Sequence, residues 1–263
     1  MNKMQWIVLG SAVVLFLILY FGCDTKPATQ KALEKTRALK VESTDLSELL
    51  LTAKPGLDAS QAATVAALEE ALETANSDSS RAEVLKQLSG AWYQLGQPAI
   101  AGTYAQQVAE VLNDEQSWSI TGTTFSICLQ MTTDEAVRNY CMGRAVQAFE
   151  NAISISPDNV AHRVNLALTY TEMPPKDEPM KGILMLRELN QQQPNNVLIL
   201  NSLARLAIKT GQFDRAKERL EEAVAIEPQN VNTICMLAQV YEQLGDAAKA
   251  KSFADQCAAA NTQ

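Results

Sequence analysis

Pro194 and Pro228 stand 34 residues apart, and the stretches that follow them read alike. Val197 to Asn230 (VLILNSLARLAIKTGQFDRAKERLEEAVAIEPQN) aligns without a gap on the segment from Val231 (VNTICMLAQVYEQLGDAAKAKSFADQCAAANTQ), and Leu203-Ala204 falls on Leu237-Ala238. A module of this length cannot bury an apolar face by itself, so copies must stack on one another. Composition says what the modules are made of. Gly (11) and Pro (9) are sparse, aromatics are 6%, and Ala, Leu, Gln and Glu are plentiful, a mixture that favours helices over sheets.

The period also runs toward the N-terminus. Pro157 and Pro194 are 37 residues apart, and the three extra residues fall in the Met173 to Pro179 loop. Ala145, Phe149 and Ala152 precede Pro157 at helical spacing, and Trp118, Gly122 and Phe125 mark the helix before them. A first copy starts at about Ala82, with Leu88, Trp92, Gly96 and Ala101 in step. These positions resemble the tetratricopeptide repeat, W-x2-L-G-x2-Y…A-x3-F…P. Leu203-Ala204 and Leu237-Ala238 fill its Leu-Gly slots, and Tyr241 fills its Tyr slot. Ala216, Leu220, Ala223 and Pro228 fill the second-helix slots. One copy departs from it: Trp118 to Ala145 spans 27 residues where the family leaves 16, an insertion of eleven.

The resemblance implies an all-α helical solenoid of about five repeats: 82–114, 115–159 with the insertion, 160–196, 197–230 and 231–263. It implies two antiparallel helices per repeat, with Gly122, Ala167, Ala204 and Ala238 letting each pair approach closely. In the family the first helices line a concave face that receives peptides or partner helices. Register puts Lys86, Tyr93, Ser119, Thr123, Val164 and Leu168 on that face, followed by Asn201, Arg205, Lys209, Cys235, Gln239 and Glu242. The candidate partner-binding residues are Lys86, Tyr93, Asn201, Arg205, Lys209, Gln239 and Glu242. Asn201 and Arg205, four apart on one helix face, suit a peptide backbone or a terminal carboxylate; an ordinary solvated face is the alternative. The family's clamp for acidic chaperone tails would need an asparagine where Gly90 stands, so that partner is not expected.

Ahead of the repeats, Trp6 to Gly22 (WIVLGSAVVLFLILYFG) holds 17 residues without a charge. At about 1.5 Å per residue that is roughly 26 Å, enough to span a bilayer core. Residues 1–23 therefore read as a single transmembrane anchor, with Trp6 at one end and Tyr20 and Phe21 at the other. A cleaved lipoprotein signal ending at Cys23, or a plain cleaved signal, are the competing readings. Residues 24–58 read as a juxtamembrane helical stalk, and 59–80 as a capping helix or degenerate half-repeat. Signal-anchor logic places the repeats on the non-cytoplasmic, periplasmic side. Lys26, Lys31, Lys35, Arg37 and Lys40 pull the other way under the positive-inside rule.

Other classes find no support. The net charge of −8 disfavours nucleic acid. Five cysteines without a C-x-x-C pair and one histidine, His162, make no metal site, and no cofactor or small-molecule motif is present. His162 reads as a surface residue and Glu221-Glu222 as solvated charge. Cys128 and Cys141 bracket the inserted segment as either a loop-closing disulfide or two buried thiols. Cys257 reads as a packing residue and Cys235 as free. The expected protein is a membrane-tethered, non-enzymatic interaction scaffold. The alternative is an envelope assembly or chaperone factor resembling the anchored repeat subunits of cytochrome c maturation, an analogy of architecture.

Overall fold

A computed structural model of the chain describes residues 45–261 and Gln5. The anchor expected at Trp6 to Gly22, the alternatives at Cys23 and the stalk before residue 45 lie outside the described residues. Among the described residues no helix is long and apolar enough to cross a membrane.

From Asp45 onward the chain is all helix among the described residues. Helix α1 (Leu46–Ala53) runs into a 3-10 turn (Lys54–Gly56), and α2 (Ala59–Thr74) follows. Five pairs come next: α3 (Asp78–Gln94) with α4 (Pro98–Leu112), α5 (Glu115–Met131) with α6 (Glu135–Ile155), and α7 (Val160–Glu172) with α8 (Lys181–Gln192). The last two are α9 (Val197–Lys209) with α10 (Phe213–Ile226), and α11 (Val231–Gln243) with α12 (Ala247–Asn261). The expected helical solenoid is the fold.

Local sequence sets each start and turn. Every first helix opens on a polar cap: Ser77, Asp114, Asn159, Asn196 and Asn230 each accept a hydrogen bond from a backbone N–H inside the first turn. Three of the tight turns inside pairs hold a glycine at positive φ: Gly96 and Gly211 at 71° and Gly245 at 79°. The first helix begins at Asp78, a turn earlier than the Ala82 expected from the pattern, because Ser77 and Ser80 form a capping box.

Three close contacts, within and between pairs, are made at glycines. A Cβ on Gly122 would lie 2.7 Å from the Phe149 ring, and one on Gly102 would lie 2.7 Å from the Phe125 ring. Gly182 is tighter, since its Cβ would meet the Ala167 carbonyl oxygen at 2.3 Å. The buried layer runs along the array from Leu85, Leu88 and Trp92 through Phe125 and Phe149 to Ile199, Leu220 and Leu237. At the N-terminal end α1 and α2 lay Leu46, Leu50, Leu68 and Leu72 over the first cluster and close it.

The insertion makes no loop. Helices α5 and α6 are 17 and 21 residues long, against 13 and 12 for α7 and α8, and only 132–134 separate them. The extra residues lengthen both helices of one hairpin, which keeps their backbone groups hydrogen-bonded. Cys128 and Cys141 are joined by a disulfide that ties helix to helix beneath that extended tip. Both are fully buried.

The C-terminal end corrects the reading of the other cysteines. Cys235 is not free: it is bonded to Cys257, linking α11 to α12. The Ala-rich α12 buries little. The same two helices are also joined where Tyr241 stacks on Phe253 with ring centroids 5.7 Å apart, and Lys249 Nζ sits 4.7 Å over the Tyr241 ring. Glu221 is likewise not simply solvated, since it accepts the Tyr241 hydroxyl. Burial first, and this carboxylate second, push the Tyr241 phenol above its ordinary pKa.

Two outcomes follow for the fold. Gly182→Ala should cost about 1–3 kcal/mol in urea unfolding, because the obstacle is backbone and cannot rotate away; Gly90→Ala, with open space around it, should cost nothing and serves as the control. Cys257→Ser should speed hydrogen exchange in 247–261 while leaving α3 to α10 protected, and should remove about 3 kcal/mol of local stability.

Candidate functional site

First helices converge along one side of the array. α5 touches α7, α7 touches α9 and α9 touches α11 directly, whereas among the second helices only α4 and α6 come comparably near. The first helices therefore form the inner, concave surface.

Three clefts open there. The first lies between α3, α4 and α5, with a volume of about 490 Å³; Lys86, Ser89, Tyr93, Ile120, Thr123 and Ile127 line it. The second, about 240 Å³, lies between α5, α7 and α9 and includes Thr123, Ile127, Glu172, Arg205 and Lys209. Thr123 and Ile127 line both, so the two clefts adjoin along α5. The third, about 500 Å³, lies between α11 and α12 and holds Gln239, Glu242 and Lys251. It shares no lining residue with the others.

The expected groove residues thus divide. Lys86 and Tyr93 sit on the first cleft, Arg205 and Lys209 on the second, and Gln239 and Glu242 on the third. Asn201 joins none of them. It is only 6% exposed, its Oδ1 accepts from Thr233 Oγ1 at 3.0 Å, and its Nδ2 donates to Asn230 Oδ1 at 3.4 Å. Its amide fastens α9 to the start of α11 and is not available to a peptide; Arg205, one turn further along the same face, is past that contact and exposed.

Lys209 is also engaged, donating to both Glu172 carboxylate oxygens at 3.0 Å across α7 and α9. Arg205 is exposed and makes no ion pair among the described residues. Arg138, on the lengthened α6, donates to the carbonyls of Leu129, Thr132 and Glu172 and so caps the C-terminal ends of α5 and α7 together.

His162 is a correction. It is 3% exposed, not a surface residue, and its Nε2 lies 2.6 Å from Glu115 Oε1. Asn159 Nδ2 donates to the same oxygen at 2.5 Å. The repeat carries a signal for this pairing: Glu115 and His162 stand in the first turns of consecutive first helices. Hydrogen bonds from Asn159, then His162, hold the Glu115 carboxyl below its ordinary pKa. The groove floor between these seams is further pinned by Ser126 and Thr169, whose hydroxyls meet at 2.8 Å.

Comparison with known proteins agrees with the repeat and adds no partner. The tetratricopeptide repeat family model matches residues 182–229 and 209–263. Among curated proteins nothing matches the chain. Solved structures of similar fold include a tetratricopeptide repeat protein from Parabacteroides merdae, with 12% identity over 80% of this chain and 78% of that one and a TM-score of 0.49. The type IV pilus biogenesis factor PilW is 15% identical over 69% of this chain and 78% of its own, with a TM-score of 0.45. YrrB, described as having an unusual peptide-binding site, is 13% identical over 75% of this chain and 93% of its own, with a TM-score of 0.38.

The Glu115 seam yields a pH expectation. A carboxyl whose folded pKa is depressed stabilises the fold above its unfolded pKa and loses that contribution as pH falls through the folded value. Glu115→Gln should therefore flatten the decline of urea stability below the ordinary carboxylate range, measured from neutral pH down to acid, relative to wild type. An unchanged acid limb would contradict this.

Proposed function

We propose that this chain is a protein-interaction scaffold, tethered to a membrane by Trp6 to Gly22, whose inner face holds a polypeptide segment of a partner on the non-cytoplasmic side. The observation that carries the reading is the pair of adjoining clefts from α3 to α9, lined largely by first-helix side chains and sharing Thr123 and Ile127. Tyr93 and Ile120 stand 48% and 51% exposed and line one cleft together, where a partner's apolar side chains could cover both. The seams at Glu115–His162 and Lys209–Glu172 hold α5, α7 and α9 at fixed spacing, so binding need not first order them. The groove is asked to bind and not to catalyse.

The side of the membrane is supported by the cysteines. Disulfides persist in oxidising compartments and are rare in the cytosol, and this chain pairs four of its cysteines in two structural bridges.

Ile120→Glu should test the groove. The variant changes an exposed side chain and should keep the wild-type melting temperature. Partners co-purified with the full-length protein from its native membrane, quantified by mass spectrometry, should fall about tenfold or more; equal recovery would overturn the groove as the binding surface. For the compartment, acid-quenched cells probed with a thiol-reactive polymer should show Cys128, Cys141, Cys235 and Cys257 unreactive until reductant is added, and reactive thiols at both pairs would contradict the assignment.

A further inference from the structure

The floor of the α3–α5 cleft carries hydroxyls whose hydrogens are already spent. Ser89 donates to the Ala101 carbonyl at 2.9 Å, Thr123 to Ser119 at 2.9 Å and Thr124 to Ile120 at 2.8 Å. Ser117 donates to the Asp114 carboxylate at 3.0 Å. These side chains turn carbon toward the cleft and offer few donors. The walls are helices, whose backbone groups are satisfied internally, so there is no strand edge for another strand to join.

An extended chain laid in this cleft would bring a carbonyl and an N–H with every residue and would leave most of its carbonyls without donors. Each buried, unpaired group costs free energy. A helix brings no such debt, because its backbone is already bonded to itself, and it presents apolar side chains at i, i+3, i+4 and i+7. The cleft's volume of about 490 Å³ and its apolar rim of Tyr93, Ile120 and Ile127 suit two or three such side chains. Charge sets the flank. Lys86 is the one charged residue lining this cleft; it is exposed and makes no ion pair among the described residues.

We infer that the occupant of the α3–α5 cleft is an amphipathic α-helix of another protein, with its apolar stripe between Tyr93 and Ile120 and an acidic residue facing Lys86. This deepens the scaffold reading and rests on it.

The test pans the full-length protein against displayed random 16-residue peptides, with Ile120→Glu protein as the counter-target. Should that variant lose its helical circular dichroism, Tyr93→Glu replaces it. Peptides kept by wild type and lost on the variant should show apolar residues three and four apart, no internal proline, and Asp or Glu at one flank. Synthesised, they should gain helical signal on binding. A proline at their centre should weaken binding about a hundredfold. Lys86→Glu should turn the flank preference from acidic to basic. Retained peptides whose apolar residues alternate, or that tolerate the proline, would mean an extended occupant; they would overturn the helix while leaving the groove intact. A concentration-dependent dimer abolished by Ile120→Glu would put a second copy there and overturn it too. Peptides held equally by the variant, or none held at all, would overturn the groove reading and this inference with it.

Discussion

Three of the close approaches in this solenoid occur where a group on one helix meets a glycine, which has no side chain, on another. Phe149 lies against Gly122, Phe125 against Gly102, and the Ala167 carbonyl against Gly182. With those approaches made, one helix pair presents its remaining apolar face to the next, and the array has to continue until something closes it. At the N-terminal end α1 and α2 do so with leucines. At the other end of the described array the Cys235–Cys257 bridge and the Tyr241–Phe253 stack fasten α12 to α11.

Stacking brings the first helices near one another, but polar contacts fix their spacing. At their N-terminal ends, Glu115 and His162 join α5 to α7, and Asn201 and Thr233 join α9 to α11. At the opposite ends, Arg138 spans the carbonyls of α5 and α7, and Lys209 with Glu172 joins α7 to α9. The insertion contributes here. By lengthening α6 at its start it carries Arg138 to the ends of two first helices, and the buried Cys128–Cys141 bridge holds that extension in place. The repeat supplies the groove, and these departures from the repeat make it rigid.

Much of the fold was legible because the repeat's apolar and small positions recur at a fixed period, so the pairing of helices could be read from Pro194, Pro228, Leu203 and Leu237. What escaped lies between repeats. Register correctly ranked Asn201 as a first-helix residue but could not tell a side chain entering the seam from one facing the groove. His162 looked solitary because its partner, Glu115, is 47 positions away. Cys235 was assigned to the open face when it pairs across α11 and α12, 22 positions away. The form of the insertion was not legible, because an excess of residues does not say whether they extend helices or interrupt them. The most apolar part of the groove, around Ile120 and Ile127, was missed altogether: the pattern drew attention to charged and amide side chains, while the rim is made by neighbours of Ser119 and Thr123.

The account stands on the inner face being the surface that meets a partner. A photoreactive amino acid placed at Ile120 on α5, compared with one at Leu184 on α8, measures this in the native membrane; both positions are exposed, at 51% and 56%. Adducts to a discrete partner from position 120, with none from position 184, are the expected result. Adducts from 184 with none from 120 would contradict it.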